Sequence, residues 1–306
     1  MKKQNIAWTA ARLLLGISII GILIYRIGLS QVLSIISSTS PLAFIIIAGG
    51  YAINWLLNSW SYHLLLSHIN VKIKYSRLLS LFVASWSIGT VLPGKIGDVS
   101  IAYFLKKEGI RIRDTGAIYL MDKGIVFLFY MIIAIITAGL LLPADIMRIL
   151  LAALAAFGIA AVLFVCFGKS IIQKIFGKYA VYLEDFHANI SGLVRKRPLL
   201  LIGLFFLSAA RWAVLSVSMW ILLLMAGEHI SFGYVFLFST TANILALIPI
   251  TASGIGLKEA AFVYLYALVG ASKSAVLGVS LVYSIITLVI AFCVILLIKS
   301  SAKKAE

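Results

Sequence analysis

The sequence predicts an all-α, polytopic integral membrane protein with about six full spans and two re-entrant helical hairpins arranged as an inverted repeat. Three observations carry that prediction. Hydrophobic residues make up 63% of the 306 and charged residues only 12%, against roughly 45–50% and 25% in a soluble domain. Apolar runs of the roughly 20 residues that a helix needs to cross about 30 Å of hydrocarbon recur along the whole chain. Two of those runs are cut by clusters of Pro, Gly and charged residues, PGKIGD at 93–98 and PITASGIGLKE at 249–259, which are poorly suited to an apolar helix.

Taken in order, the full spans are expected at 8–25, 42–66, 118–142, 147–167, 199–226 and 274–298. The N-terminus has a basic start and an apolar run without a small-x-small cleavage pattern, so it is expected to remain as the first span. Residues 78–92 run into PGKIGD and resume as VSIAYFL; residues 232–248 run into PITASGIG and resume as AAFVYLYALVG. At about 1.5 Å per residue, 99–105 reach only about 10 Å and 258–270 about 20 Å, short of a complete span. Hairpins at 78–106 and 232–270 follow, with irregular backbone that protein or a wet cavity has to surround. In residues 169–197, Ile172, Ile175, Phe176, Tyr179, Tyr182 and Leu183 recur at helical spacing beside Lys174, Lys178, Glu184 and Asp185, the pattern of an interfacial amphipathic helix. Residues 29–40 read as a shorter counterpart.

The net charge of +16 is spread over short loops and lacks the stripe that a nucleic-acid interface needs. It follows topology instead. Lys2, Lys3 and Arg12; Lys72, Lys74 and Arg77; Lys106, Lys107, Arg111 and Arg113; Lys169, Lys174, Lys178, Arg195, Lys196 and Arg197; and Lys299, Lys303 and Lys304 all fall on one side if the first hairpin opens to the cytoplasm and the second to the outside. Both termini are then cytoplasmic in a cell (plasma or inner) membrane. Pro41 and Pro198, Trp55 and Trp212, and Ser59 and Ser216 lie 157 residues apart, and Pro93 and Pro249 lie 156 apart. The expected organisation is one membrane domain over 1–306, with repeat units at 41–142 and 198–298 in opposite orientations joined by the cytoplasmic linker 169–197.

No HExxH, GxSxG or P-loop occurs, the four histidines form no cluster, and Cys166 and Cys293 sit in apolar runs as expected buried hydrophobes. No catalytic residue, metal or cofactor is therefore expected. The chemistry-bearing residues are charges at membrane depth: Lys95, Lys123, Arg211 and Lys258. A cation at the bilayer centre costs about 2.5–3.5 kcal/mol and faces the interior or a wet cavity. For Arg211, 12 residues into its span, two readings stand: a buried pair with Asp98, Asp122 or Glu259, or a ligand contact. Each hairpin break offers free helix-start amides to an anion, with Pro93, Gly94, Lys95, Gly97 and Asp98 in one and Thr251, Ser253, Gly254, Gly256, Lys258 and Glu259 in the other. Equally, the glycines allow helix packing and the acids cap half-helices. Asn243 on the entering limb is a candidate for substrate contact or for an interhelical hydrogen bond.

LPGKIGDVSIAYFLKKEGI resembles the LPGGxGE…YLL signature, and PITASGIGLKEAAFVYLYALVG the PITPGGLGxRE-AA signature, of the flippase-like membrane domain of lysylphosphatidylglycerol synthases. YLMDKGIVFLFY, with Asp122 and Lys123, is similar to that family's Asp-Arg segment. Lys95 stands where the family usually has Gly, Asp98 where it has Glu, and Ala252 and Ser253 where it has Pro and Gly. The resemblance implies a lipid flippase or scramblase that moves an anionic phospholipid or polyprenyl-phosphate-linked headgroup between leaflets. Membrane lipids would be its partners. No soluble aminoacyl-transferase domain is expected, hence no lysyl-lipid synthesis. The alternatives are an integral-membrane transferase acting on lipid-linked substrates and a membrane subunit of a separate soluble enzyme.

Overall fold

The structure, a computed structural model, describes residues 2–91, 96–176, 181–245, 251 and 254–303. Among these residues the chain forms twelve helices and no strand: α1 (Lys2–Ile27), α2 (Leu29–Ser38), α3 (Leu42–His68), α4 (Tyr75–Val91), α5 (Ile96–Lys107), α6 (Ile112–Leu141), α7 (Ala144–Phe176), α8 (Val181–Lys196), α9 (Pro198–Met225), α10 (Phe232–Leu245), α11 (Leu257–Ala267) and α12 (Lys273–Lys303). The described prolines, 41, 143 and 198, lie outside a helix or at its first residue, because a ring in a helix interior removes an N–H and clashes with the preceding turn.

Among the described residues five helices are long and apolar enough to cross a membrane: α3, α6, α7 over Ala144–Phe164, α9 and α12. Among the described residues Leu14–Ile27 and Leu29–Ser38, bent by 101°, give a sixth candidate crossing when taken together; the bend sits at Gly28, whose φ of 110° favours glycine. In the best apolar window of α7 no residue is buried, so that surface needs hydrocarbon around it. The four helices on either side of the 93–98 and 249–256 segments are each shorter than a span. α4 has 17 residues, α5 12, α10 14 and α11 11, which gives lengths of about 25, 18, 21 and 16 Å.

Three expectations are corrected. The second limb of the first hairpin starts at Ile96 rather than 99, so Gly97 and Asp98 belong to the first turn of α5. The helix of the fourth span does not stop with the span: α7 continues to Phe176 and takes in the start of the expected linker, whose remainder contains α8. No proline lies between Pro143 and Pro198 to end it sooner. Cys166 and Cys293 are exposed rather than buried, because apolar runs in such helices also face outward.

The chain divides into two compact units, Met1–Asn54, Trp86–Asp98 and Trp212–Glu306 in one, and Trp55–Ser85 and Val99–Arg211 in the other. In the first, small residues let helices close. Val32 of α2 is buried, and a Cβ at Gly278 of α12 would stand 2.7 Å from Ile35 Cγ2. A Cβ at Gly16 of α1 would stand 2.7 Å from the carbonyl oxygen of Ile255, just before α11. Gly256 faces the reverse contact, the Gly16 carbonyl, with φ at 80°. In the second unit, Tyr62, Leu65 and Leu66 of α3, Leu78 and Leu81 of α4, Ile101 and Leu105 of α5, and Ile118 and Met121 of α6 form one buried cluster with Leu193 and Leu204.

Gly256→Ala places a Cβ against a backbone carbonyl at a positive φ, and is expected to cost about 1–3 kcal/mol. A lowered thermal midpoint in detergent is the readout; Gly203→Ala, at an exposed position with nothing within 4 Å, is expected to leave it unchanged.

Candidate functional site

The first unit encloses a cavity of about 470 Å³ counted to its open mouth. Helical periodicity builds its wall: Trp212, Leu215 and Met219 recur along α9, Ser239 and Asn243 along α10, Lys258 and Phe262 along α11, and Ser280 and Tyr283 along α12, with Tyr51 from α3. Each set is spaced by three or four residues and so shares one helix face. The Asn243 amide donates to the Ser239 carbonyl at 2.5 Å. Thr287 Oγ1 donates to the Tyr283 carbonyl at 2.7 Å and reaches the Tyr51 hydroxyl at 3.3 Å. The Tyr51 ring lies 4.7 Å from that of Trp86 and 6.2 Å from that of Tyr283.

Lys258 supplies the cavity's charge. Its Nζ stands 5.7 Å from the Phe262 ring centroid, and among the described residues no carboxylate pairs with it. The neighbouring Glu259, 3% exposed, is engaged elsewhere: its carboxylate accepts the Gly256 N–H at 2.7 Å and the Ser284 hydroxyl at 3.1 Å. That carboxylate holds the start of α11, where amides otherwise lack partners.

The second unit contains a different polar cluster. Arg211 of α9 donates through Nη1 to Asn58 Oδ1 at 2.6 Å and to Asp122 Oδ1 of α6 at 3.2 Å, and through Nη2 to the Ser208 hydroxyl at 2.5 Å. The Arg211 and Asp122 side chains are 4% and 5% exposed. Of the three acids named as partners for Arg211, the structure selects Asp122. The pair is neutral as a whole and Asn58 and Ser208 add hydrogen bonds to it, the condition under which buried charges are tolerated.

Of the other residues singled out in the sequence, Pro93, Gly94, Lys95 and Ser253 lie outside the described residues. Gly97 and Asp98 are in the first turn of α5. Lys123 is half-buried, with Nζ 5.5 Å from the Tyr119 centroid. Thr251 is buried and its hydroxyl takes no protein partner; Gly254 and Gly256 carry the positive φ values before α11. Asn243 and Lys258 meet at the cavity, while Asp122 and Arg211 meet in the pair. Sequence reasoning missed Tyr51, Trp212, Ser239, Ser280 and Tyr283 as wall residues, because Tyr and Trp are ordinary in spans and lone serines are silent. The i, i+3 relation of Ser208 to Arg211 was the readable signal for that contact.

Asp122→Ala leaves the Arg211 guanidinium buried without its counter-charge and is expected to destabilise the fold by about 3–5 kcal/mol. The double change Asp122→Ala/Arg211→Leu is expected to recover part of that loss. A double-mutant cycle on thermal unfolding in detergent measures both.

One curated relative with a significant match, a UPF0104 membrane protein of Methanothermobacter thermautotrophicus, is 23% identical over 290 residues, covering 83% of this chain and 82% of its own. The family described as the lysylphosphatidylglycerol synthase TM region matches residues 9–295, nearly the whole chain and both the 93–98 and 249–259 segments. A match of that extent, on a chain whose described residues include five helices long and apolar enough to cross a membrane, makes this a multi-pass membrane protein that belongs to the lysylphosphatidylglycerol synthase transmembrane-region family.

Proposed function

We propose that the chain is a lipid flippase or scramblase that carries a phosphate-bearing headgroup between leaflets, with Lys258 as the headgroup's contact. The observation that carries this reading is Lys258 itself, a lysine without a pairing carboxylate in a cavity walled by Ser239, Asn243, Ser280 and two tyrosines. A cation among spanning helices has to face water, an acid or a ligand. With Glu259 committed to Gly256 and Ser284, an anion that enters supplies the missing charge. The hydroxyl and amide groups around it offer hydrogen bonds to phosphate oxygens.

Apolar residues of Trp212, Leu215, Met219 and Phe262 complete the wall, and acyl or prenyl tails remain in the bilayer. In this reading the protein makes and breaks no covalent bond. It lies in the cell membrane with both termini cytoplasmic, as the distribution of Lys and Arg suggests. Family membership supports a role that involves membrane lipids.

Purified protein in liposomes with labelled phosphatidylglycerol or a labelled polyprenyl phosphate tests the proposal by leaflet exchange. Wild type is expected to exceed protein-free liposomes. Lys258→Ala is expected to lower the rate by about tenfold or more, since a charge-assisted hydrogen bond contributes about 1.5–3 kcal/mol; Tyr283→Phe is expected to lower it less. Wild-type rates equal to those of empty liposomes for both lipids would sink the transport reading, and an unchanged rate in Lys258→Ala would sink the assignment of the contact.

A further inference from the structure

A second charged cavity lies in the other unit, at the connection between α3 and α4. It is lined by Lys72, Ile73, Lys74, Arg77, Glu108 and Ile110 and measures about 560 Å³ counted to its open mouth. The connection turns at Asn70, which adopts a φ of 59°, and residues 71–74 then continue without helix to Tyr75. Ile69, Val71 and Ile73 pack against the buried cluster of this unit. In a stretch where alternate residues face inward, the residues between them face outward together. Lys72 and Lys74 are accordingly both exposed.

Arg77, in the first turn of α4, completes the cationic wall. Its Nε and Nη2 both donate to Glu108 Oε1, at 3.0 and 2.7 Å. That contact pins the guanidinium, and the hydrogen bond with its charge attraction pushes the Arg77 pKa further up, so the charge does not titrate. Glu108 is the cavity's single carboxylate against three cations. Among the described residues neither Lys72 nor Lys74 has an acidic partner.

Neighbouring aromatics place this cavity at headgroup level. Tyr75, the residue after Lys74, donates its hydroxyl to the Leu56 carbonyl at 2.8 Å and packs edge-on against Trp60 at 5.9 Å. Trp60 is 48% exposed. An exposed tryptophan beside a tyrosine on a spanning helix marks the boundary between hydrocarbon and water, where such rings are enriched. Lys72 and Lys74 stand at the end of the same span.

We propose that the Lys72, Lys74 and Arg77 cavity is a binding site for the phosphate headgroup of an anionic membrane lipid, held at the bilayer surface by two free lysines and a fixed arginine. The site does not depend on transport through the Lys258 cavity. A charge-assisted hydrogen bond from a lysine to a phosphate oxygen raises affinity roughly tenfold or more, and two on one headgroup, adding less than independently, about 30-fold.

The full chain, reconstituted in phosphatidylcholine nanodiscs and titrated with phosphatidylglycerol, tests this by native mass spectrometry of retained lipid. Lys72→Ala/Lys74→Ala is expected to weaken phosphatidylglycerol retention by roughly 30-fold with an unchanged thermal midpoint, and Lys72→Arg/Lys74→Arg to preserve it. Lys106→Ala/Lys107→Ala removes the same charge outside the cavity lining and is expected to change retention less than about threefold, because exposed charges that make no contact are screened by salt. Equal losses in the two alanine pairs would replace a site with a diffuse basic surface and overturn the proposal. So would unchanged retention in Lys72→Ala/Lys74→Ala, or inorganic phosphate that displaces the lipid at equal concentration, which would make the ligand a free anion.

Discussion

A peptide group that leaves helical geometry inside hydrocarbon finds no water, so protein has to take its hydrogen bonds and shield its turn. The start of α11 meets that constraint with three residues. Gly256 takes a positive φ, Gly16 of α1 has no side chain where the turn arrives, and the Glu259 carboxylate accepts the Gly256 N–H. Lys258 is placed by the same turn. Because Glu259 is used to hold the backbone, it is not available to neutralise the lysine beside it. A structural demand thus leaves a cation on the cavity wall.

The charges among the helices have different fates for one reason, the cost of ionised groups in a medium of low dielectric. Arg211 is neutralised locally by Asp122 and further held by Asn58 and Ser208. Glu259 is stabilised by a backbone donor and a hydroxyl. Lys258 instead lines an open cavity whose wall alternates hydroxyls with aromatic rings. At the ends of the spans the cost vanishes, and Lys72 and Lys74 stand exposed beside an arginine already tied to Glu108. Buried charges therefore hold the fold, while the less buried ones remain chemically available.

Much of the fold was legible because hydrocarbon imposes a long-period demand on sequence. An apolar run of about 20 residues has few alternatives to a spanning helix, and the expected spans 42–66, 118–142, 199–226 and 274–298 lie within a few residues of α3, α6, α9 and α12. Prolines and glycines at 93–97 and 249–256 marked where runs break. Ends were less legible: α7 overran its expected limit to Phe176 because only a change of hydropathy, and no breaker, marked residue 167.

The candidate site was legible only where a residue type was out of place in its surroundings. Lys258 and Arg211 stand out in any apolar run, and Asp122 was one of three acids that could answer Arg211. Tyr51, Ser239, Ser280 and Tyr283 are ordinary residues for a spanning helix, and nothing local separates them from their neighbours. By itself the sequence determined the membrane-spanning class, where the apolar runs are interrupted and the presence of cations within them, because solvent transfer and backbone geometry act on each residue where it stands. Only the tertiary structure decided which acid meets Arg211, that Glu259 serves the backbone, and which faces of α3, α9, α10, α11 and α12 share a cavity with Lys258. Those outcomes depend on helix rotation and close approach between residues far apart in the chain, which no local pattern encodes.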